Sequence, residues 1–149
     1  MLYLAVKLIH ILLAIAALGA NFTYGVWFAR AKRNPAFAET ALRTIKFIDD
    51  YIANPAYVLM LPTGAAMVAL GHLGFGTHWI SWAMGLWAVA IAIAYLVYGP
   101  LLKRLIRIVA DNGIDSAEYR GLEGRSNAIA GVLALLVLAI LVLMVFKPT

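Results

Sequence analysis

The pattern of charged and apolar positions divides the chain most clearly at residues 51–102, which contain no Asp, Glu, Lys or Arg. A transmembrane helix needs ~20 predominantly apolar residues, so this run is long enough for two crossings. Glycines and two histidines interrupt the apolar pattern at residues 71–78 and indicate a turn. The pattern therefore predicts a helical hairpin that lies in the membrane.

Two further apolar runs complete the pattern, so that we predict four membrane-spanning helices. The run from Ile9 to Ala29 exceeds the ~7–15 residues of a signal-peptide core, which favours a retained helix. None of the runs alternates apolar and polar residues as barrel strands do. The predicted fold is an all-α, four-helix transmembrane bundle in one domain of residues 1–149, with spans at about residues 2–28, 52–73, 80–102 and 126–146.

Composition agrees with this interpretation and removes several classes of function. Hydrophobic residues make up 64% of the chain, against ~45–50% in soluble domains, so a lipid bilayer is the expected surrounding. The chain has no cysteine, which excludes disulfides, iron–sulfur clusters and thiolate metal sites. The sequence contains neither a phosphate-binding loop, which would indicate a kinase, nor a serine–histidine–acid set, which would indicate a hydrolase. No catalytic residue is predicted.

The basic residues indicate how the bundle lies in the membrane. Ten of the 12 lie in the segments that connect the first span to the second and the third span to the fourth. By the positive-inside rule these two segments are cytoplasmic, which places both termini and the turn at residues 71–78 outside. We therefore expect the inner membrane of a bacterium. The basic charge is expected to contact anionic lipid, and no nucleic-acid partner is predicted.

The first span carries a polar and small-residue stripe. Lys7, His10, Asn21 and Gly25 fall within an arc of about 60° at the helical period. Small and polar residues mark helix contacts in lipid, so we expect this stripe to pack against the second and third spans. Two interpretations stay open: close packing with interhelical hydrogen bonds, or a groove for a cofactor or substrate.

All three histidines are predicted to lie toward the outer face. Imidazole is a good ligand for haem iron, copper or zinc, so His10, His72 and His78 are the candidate metal ligands. His10 lies ~13 Å below the outer end at 1.5 Å per residue, a gap that haem spans better than a bare ion. The candidate cofactor site adds Lys7, as a partner for a haem propionate, and Asn21. Plain solvation at the interface is the alternative for the two histidines of the turn.

Aromatic residues in the third span are expected at the two membrane interfaces. Trp79 and Trp82 are interpreted as an outer belt, and Tyr95 and Tyr98 as an inner belt. An aromatic wall for a planar ligand is the alternative.

No carboxylate lies inside any of the four predicted spans. Proton and cation relays in membranes usually need one. This argues against a pump, an antiporter or a channel with a charged filter.

Several short motifs resemble known membrane families. The segment Lys7 to Leu12 and the element Pro62-Thr63-Gly64 resemble helices of proteins related to the copper-resistance D domain and to HemJ. The segments from Gly99 to Arg104 and from Met144 to Pro148 resemble an uncharacterised family of predicted integral membrane proteins, domain of unknown function 2269.

The resemblance to HemJ implies a role for one residue. His10 matches the first-helix histidine that is thought to hold haem b in those relatives, where the activity is protoporphyrinogen oxidation. HemJ also uses a lysine in its third helix, and this chain has none between Trp79 and Leu102. The chain departs from the pattern of the oxidase there, and whether it is an enzyme stays open.

These observations favour a small bacterial inner-membrane protein that binds haem b or a metal through His10. The alternative is a non-catalytic membrane subunit or assembly factor that acts through helix packing. A small-solute transporter is the weakest of the three hypotheses, because the spans lack charges.

The fourth span predicts self-association. It is almost entirely apolar, and the small residues Ala128, Ala130, Gly131 and Ala134 near one end permit close helix approach. Two-fold symmetric dimers are the commonest homo-oligomers. We therefore predict a homodimer with this span at or near the interface.

The topology yields the first testable prediction. Reporter fusions at Gly74 and Gly113 are expected to read outside and cytoplasmic respectively, because the basic residues flank Gly113 and avoid Gly74. A fusion at Gly113 that reads outside would refute the topology.

Overall fold

The computed structural model describes residues 1–148, and every regular element in that range is helical. Six α-helices follow one another: α1 (Leu2–Arg33), α2 (Ala38–Ile48), α3 (Asn54–Leu70), α4 (His78–Ile93), α5 (Gly99–Asn112) and α6 (Ala117–Phe146). A single 3₁₀ turn at Pro35–Phe37 connects α1 to α2. The all-α prediction is confirmed.

Within residues 1–148, four continuous helical segments are long and apolar enough to cross a membrane, as the sequence predicts. They are Leu2–Arg33, Pro35–Leu70, His78–Asn112 and Ala117–Phe146. The second and third extend beyond the predicted spans, because α2 continues into α3 and α4 continues into α5 without a loop.

A π-helical turn joins the helices within each of these two segments. The turns are Asp49–Ala53 and Ala94–Tyr98, and each ends with a backbone N–H that donates to the carbonyl five residues earlier. Pro55 and Pro100 follow one residue after each closing N–H. A proline has no N–H and crowds the carbonyl four residues before it, so a wider turn at these places keeps the helix continuous.

The helices pack as two pairs. α1 packs along α3, and α4 packs along α6, while the contacts between the pairs are concentrated where α2 meets α5. We call the end of the bundle that carries α2, α5 and ten basic residues the basic end. The main core cluster lies there, and its largest fully buried side chains are Leu42, Ile45, Leu102 and Leu105.

The helices α2 and α5 are amphipathic, which explains why the core forms at the basic end. In α2, Leu42 and Ile45 are fully buried, while Arg43 is exposed and pairs with Glu39 at 2.7 Å. Charged residues on one face and apolar residues on the other are typical of a helix between a core and water. In the most apolar part of α6, by contrast, no residue is fully buried within the chain.

The start of α6 differs in detail from a capping box. Ser116 is the N-cap, and its Oγ accepts a hydrogen bond from the backbone N–H of Tyr119 at 3.2 Å. In a capping box the Glu118 side chain would accept a hydrogen bond from the backbone N–H of the N-cap residue. Here its carboxylate instead accepts from the Arg104 guanidinium at 2.7 Å. The ion pair therefore ties α6 to α5.

The prediction of an inner aromatic belt of Tyr95 and Tyr98 is wrong for Tyr98. Tyr98 is only 3% exposed and belongs to the core, since the π-helical turn directs it inward, whereas Tyr95 is 47% exposed. Trp82 is 67% exposed, in agreement with a position against lipid.

Packing at the basic end predicts that replacing two leucines by alanine will lower the stability by different amounts. Leu105→Ala leaves a cavity in the core and should lower the free energy of unfolding by about 2–5 kcal/mol. Leu135→Ala is the matched control, because Leu135 is 67% exposed on the apolar surface of α6. Unfolding in a mixed-detergent titration measures both, and equal losses would contradict this account of the core.

Candidate functional site

A cavity of about 280 Å³ lies between the two helix pairs. Residues of α1, α3, α4 and α6 line it, and most of its wall is apolar. Its polar lining comes from Asn21, Tyr24, Asp49, Asn54, Tyr57, Tyr98 and Asn127. A mostly apolar cavity with a few converging polar groups is the usual form of a small-molecule site.

Asp49 is the buried acid of this cavity. Asp49 is only 7% exposed, and its two carboxylate oxygens have different hydrogen-bond partners. The Tyr24 hydroxyl donates to Oδ1 at 3.2 Å, and the Asn54 amide Nδ2 donates to Oδ2 at 3.1 Å. A carboxylate offers about four acceptor positions, so Asp49 retains capacity for a further donor.

No cation from the described part of the chain pairs with Asp49. The nearest basic side chain in sequence, Lys46, contacts the carboxylate of the exposed Asp50 instead. A buried acid without a cationic partner is costly in the membrane, which singles out Asp49 as a functional candidate.

Asp49 is not among the residues predicted from the sequence, although the sequence contains a signal for it. Ala38, Leu42 and Ile45 form the buried face of α2 at helical spacing, and Asp49 is the next position on that face. Asp50 falls on the other side, where it is exposed. The expectation that no carboxylate lies inside a span applies to a second span from about residue 52, and Asp49 lies three residues before it, within the same continuous helical segment Pro35–Leu70.

Tyr57 connects three helices beside the cavity. Its hydroxyl accepts a hydrogen bond from Asn21 Nδ2 of α1 at 2.5 Å, and its backbone carbonyl accepts from Trp87 Nε1 of α4 at 3.2 Å. The predicted stripe of α1 therefore contacts the second span through Asn21. Gly25 also lines the cavity, while Lys7 is exposed and does not pack as expected.

Two buried hydroxyls remain without a hydrogen-bond partner among residues 1–148. They are those of Tyr98 and Ser126, and Tyr98 lines the cavity. A buried hydroxyl without a partner costs about 1–3 kcal/mol. The Tyr98 oxygen is itself enclosed by the surrounding side chains, so a ligand in the cavity would reach it only after a local rearrangement.

His10 occupies a separate place, between α1 and the Pro62-Thr63-Gly64 element of α3. Its Nδ1 lies 2.8 Å from Thr63 Oγ1, and that hydroxyl also lies 2.8 Å from the carbonyl of Leu59. If the single hydroxyl proton is donated to the carbonyl, Thr63 accepts from Nδ1–H and Nε2 carries the free lone pair. Gly64 makes room for the ring, since a Cβ there would lie 3.3 Å from His10 Cε1.

The structure does not bring the three histidines together. His72 is exposed in the turn with a φ of 53°, and His78 is exposed at the start of α4. Within residues 1–148, no group of three or more His, Asp or Glu side chains is close enough to hold a metal ion. The predicted metal set of His10, His72 and His78 is therefore not formed, because His10 bonds to α3 below the turn.

Three of the four small residues of α6 lie at the cavity, a position that the sequence does not predict. Ala130, Gly131 and Ala134 line the cavity, so their small size leaves space within a single copy of the chain. The predicted homodimer stays a prediction.

Comparison with known proteins identifies the family. The model of the family of predicted integral membrane proteins called DUF2269 matches residues 4–148, and the chain belongs to that family. No curated protein and no solved structure matches the chain. The wider resemblance to the copper-resistance D domain and to HemJ is not shown, and what it implies for His10 stays a prediction.

Proposed function

We propose that this member of the family binds a small, largely apolar molecule within the bilayer through a positively charged group. The site is the cavity between the two helix pairs, and the group that meets the ligand's charge is the carboxylate of Asp49. The single observation that carries the proposal is this buried acid at the wall of an apolar cavity, which forms no ion pair with a cation of residues 1–148.

The chemistry of the lining supports a cationic ligand. A positive charge at Asp49 compensates the carboxylate and uses its remaining acceptor positions.

The size and walls of the cavity support a small ligand. Its volume of about 280 Å³ lies near the lower end of the ~300–1,000 Å³ that ligand pockets occupy. Alanine, glycine and aliphatic side chains of α4 and α6 make up much of the wall, so that an aliphatic body fits beside the charged group.

A matched series of three probes tests the proposal: cyclohexylamine, cyclohexanol and cyclohexanecarboxylate. They share a ring and differ in charge. The amine is expected to stabilise the detergent-solubilised protein in a saturable way. At 100 times its Kd the free energy of unfolding should rise by about 2.7 kcal/mol. The carboxylate should have no effect, because it repels Asp49. Trp87 lies at the cavity and reports binding through its fluorescence.

The neighbouring acid provides the control variant. Asp49→Asn keeps an acceptor for Tyr24 and removes the charge, so the effect of the amine should be lost, whereas Asp50→Asn should retain it because Asp50 is exposed. Gly131→Leu should also block the amine, since open space surrounds Gly131. If the amine acts equally on both Asn variants, Asp49 is not the binding group, and a subunit or assembly factor becomes the better hypothesis.

Haem b at His10 is a second candidate function. The fixed hydrogen bond of Nδ1 to Thr63 and the absence of a side chain at Gly64 favour it, since they orient the ring and leave Nε2 for a ligand. Bound haem would bring redox chemistry, and His10 would hold its iron. The exposed Lys7 lies one helical turn from His10, at the position expected for a propionate partner.

The absorption spectrum of the purified protein tests the second candidate. A Soret band that His10→Ala removes and Asp49→Asn leaves unchanged is expected, because the two side chains belong to separate sites. A Soret band at full strength in His10→Ala would eliminate His10 as the axial ligand.

The location and the assembly remain parts of the proposal. Ten basic residues at one end favour that end as cytoplasmic, in the inner membrane of a bacterium. The unburied apolar surface of α6 favours a homodimer. Mass measurement in mild detergent tests the dimer, and a monomer at every concentration tested would contradict it.

A further inference from the structure

A second cavity lies at the basic end, on the polar face of α5. Its volume is about 530 Å³, and it opens at the surface between α5 and the start of α6. The charged residues around it are Lys103, Arg104, Arg107, Asp111 and Glu118. It shares no lining residue with the cavity beside Asp49.

Two of the three basic residues of this second cavity have no acidic partner in the described chain. The ion pair that forms here joins Arg104 to Glu118. Lys103 and Arg107 are exposed and lie four residues apart on α5, so both project from the same face. With Asp111 as the remaining acid, the free side chains carry two positive charges and one negative charge.

The surface beside this cavity is apolar on the membrane side. Pro100 forms part of the cavity wall, and one turn earlier Leu96 is 76% exposed and Val97 is 45% exposed. A ligand with a charged head at Lys103 and Arg107 and an apolar tail along Leu96 therefore meets matching chemistry at both ends. A free phosphate ion would use only the first.

We propose that this cavity binds the monoanionic phosphodiester headgroup of a membrane phospholipid, such as phosphatidylglycerol. Lys103 and Arg107 contact the phosphate, and the acyl chains run along the exposed apolar side of the second π-helical turn. The excess of one positive charge among the unpaired groups suits a headgroup of single negative charge. The site is independent of the ligand proposed for the inner cavity.

Native mass spectrometry of the full chain in detergent tests the proposal. Phosphatidylglycerol is expected to be retained as a discrete adduct, and phosphatidylcholine, which has no net charge, is not. Lys103→Gln with Arg107→Gln should weaken retention about 25-fold, since each basic residue near an anionic lipid contributes about fivefold. Lys103→Arg with Arg107→Lys keeps both charges and should keep the adduct.

A second charge pair provides the matched control. Lys32→Gln with Arg33→Gln removes the same charge from the basic end, at exposed residues outside the cavity, and should leave the adduct unchanged. Equal losses in the two Gln pairs would overturn the proposal in favour of diffuse attraction. Equal retention of phosphatidylcholine would also overturn it. Displacement of the lipid by millimolar inorganic phosphate would identify a site for free phosphate instead. If the Gln pair at the cavity fails to fold, the two lipids and the phosphate competition decide on the unchanged protein.

Discussion

The structure depends on where the hydrophobic effect acts. Lipid tails are as apolar as leucine, so apolar burial between helices gains little inside the membrane. At the basic end α2 and α5 carry charged faces, and their apolar faces pack together there as in a soluble protein. The two helix pairs are accordingly held together at this end. The cavity lies farther along the bundle, where no comparable apolar packing draws the pairs together.

Asp49 lies at the boundary between these two regions. It continues the buried face of α2, yet Tyr24 and Asn54 hold its carboxylate beside the apolar cavity. In water an exposed acid costs nothing, and in lipid an unpaired acid is expelled or neutralised. A position at the edge of the core permits a retained acid with free acceptor capacity, which is what a binding site for a cation requires.

The sequence predicted the four spans because their length and hydropathy are sufficient signals in a membrane protein. It did not predict which side chains converge, since convergence depends on the π-helical turns. Tyr98 appears interfacial from its place near the end of an apolar run, but the turn before Gly99 carries it into the core. The contact of His10 with Thr63 joins two motifs 53 residues apart, and hydropathy carries no information on such pairing.

The two π-helical turns link the packing to the site. One extra residue in a turn rotates everything after it by about 100°, so each turn resets the face that the following helix presents. Asp49 begins the first turn and Tyr98 ends the second, and both line the same cavity from different helix pairs. A proline follows each turn, and a regular α-helical turn in its place would press the proline ring against the carbonyl four residues earlier. The prolines thus favour the wider turns, and with them the rotation that places Asp49 and Tyr98 at the space between the pairs.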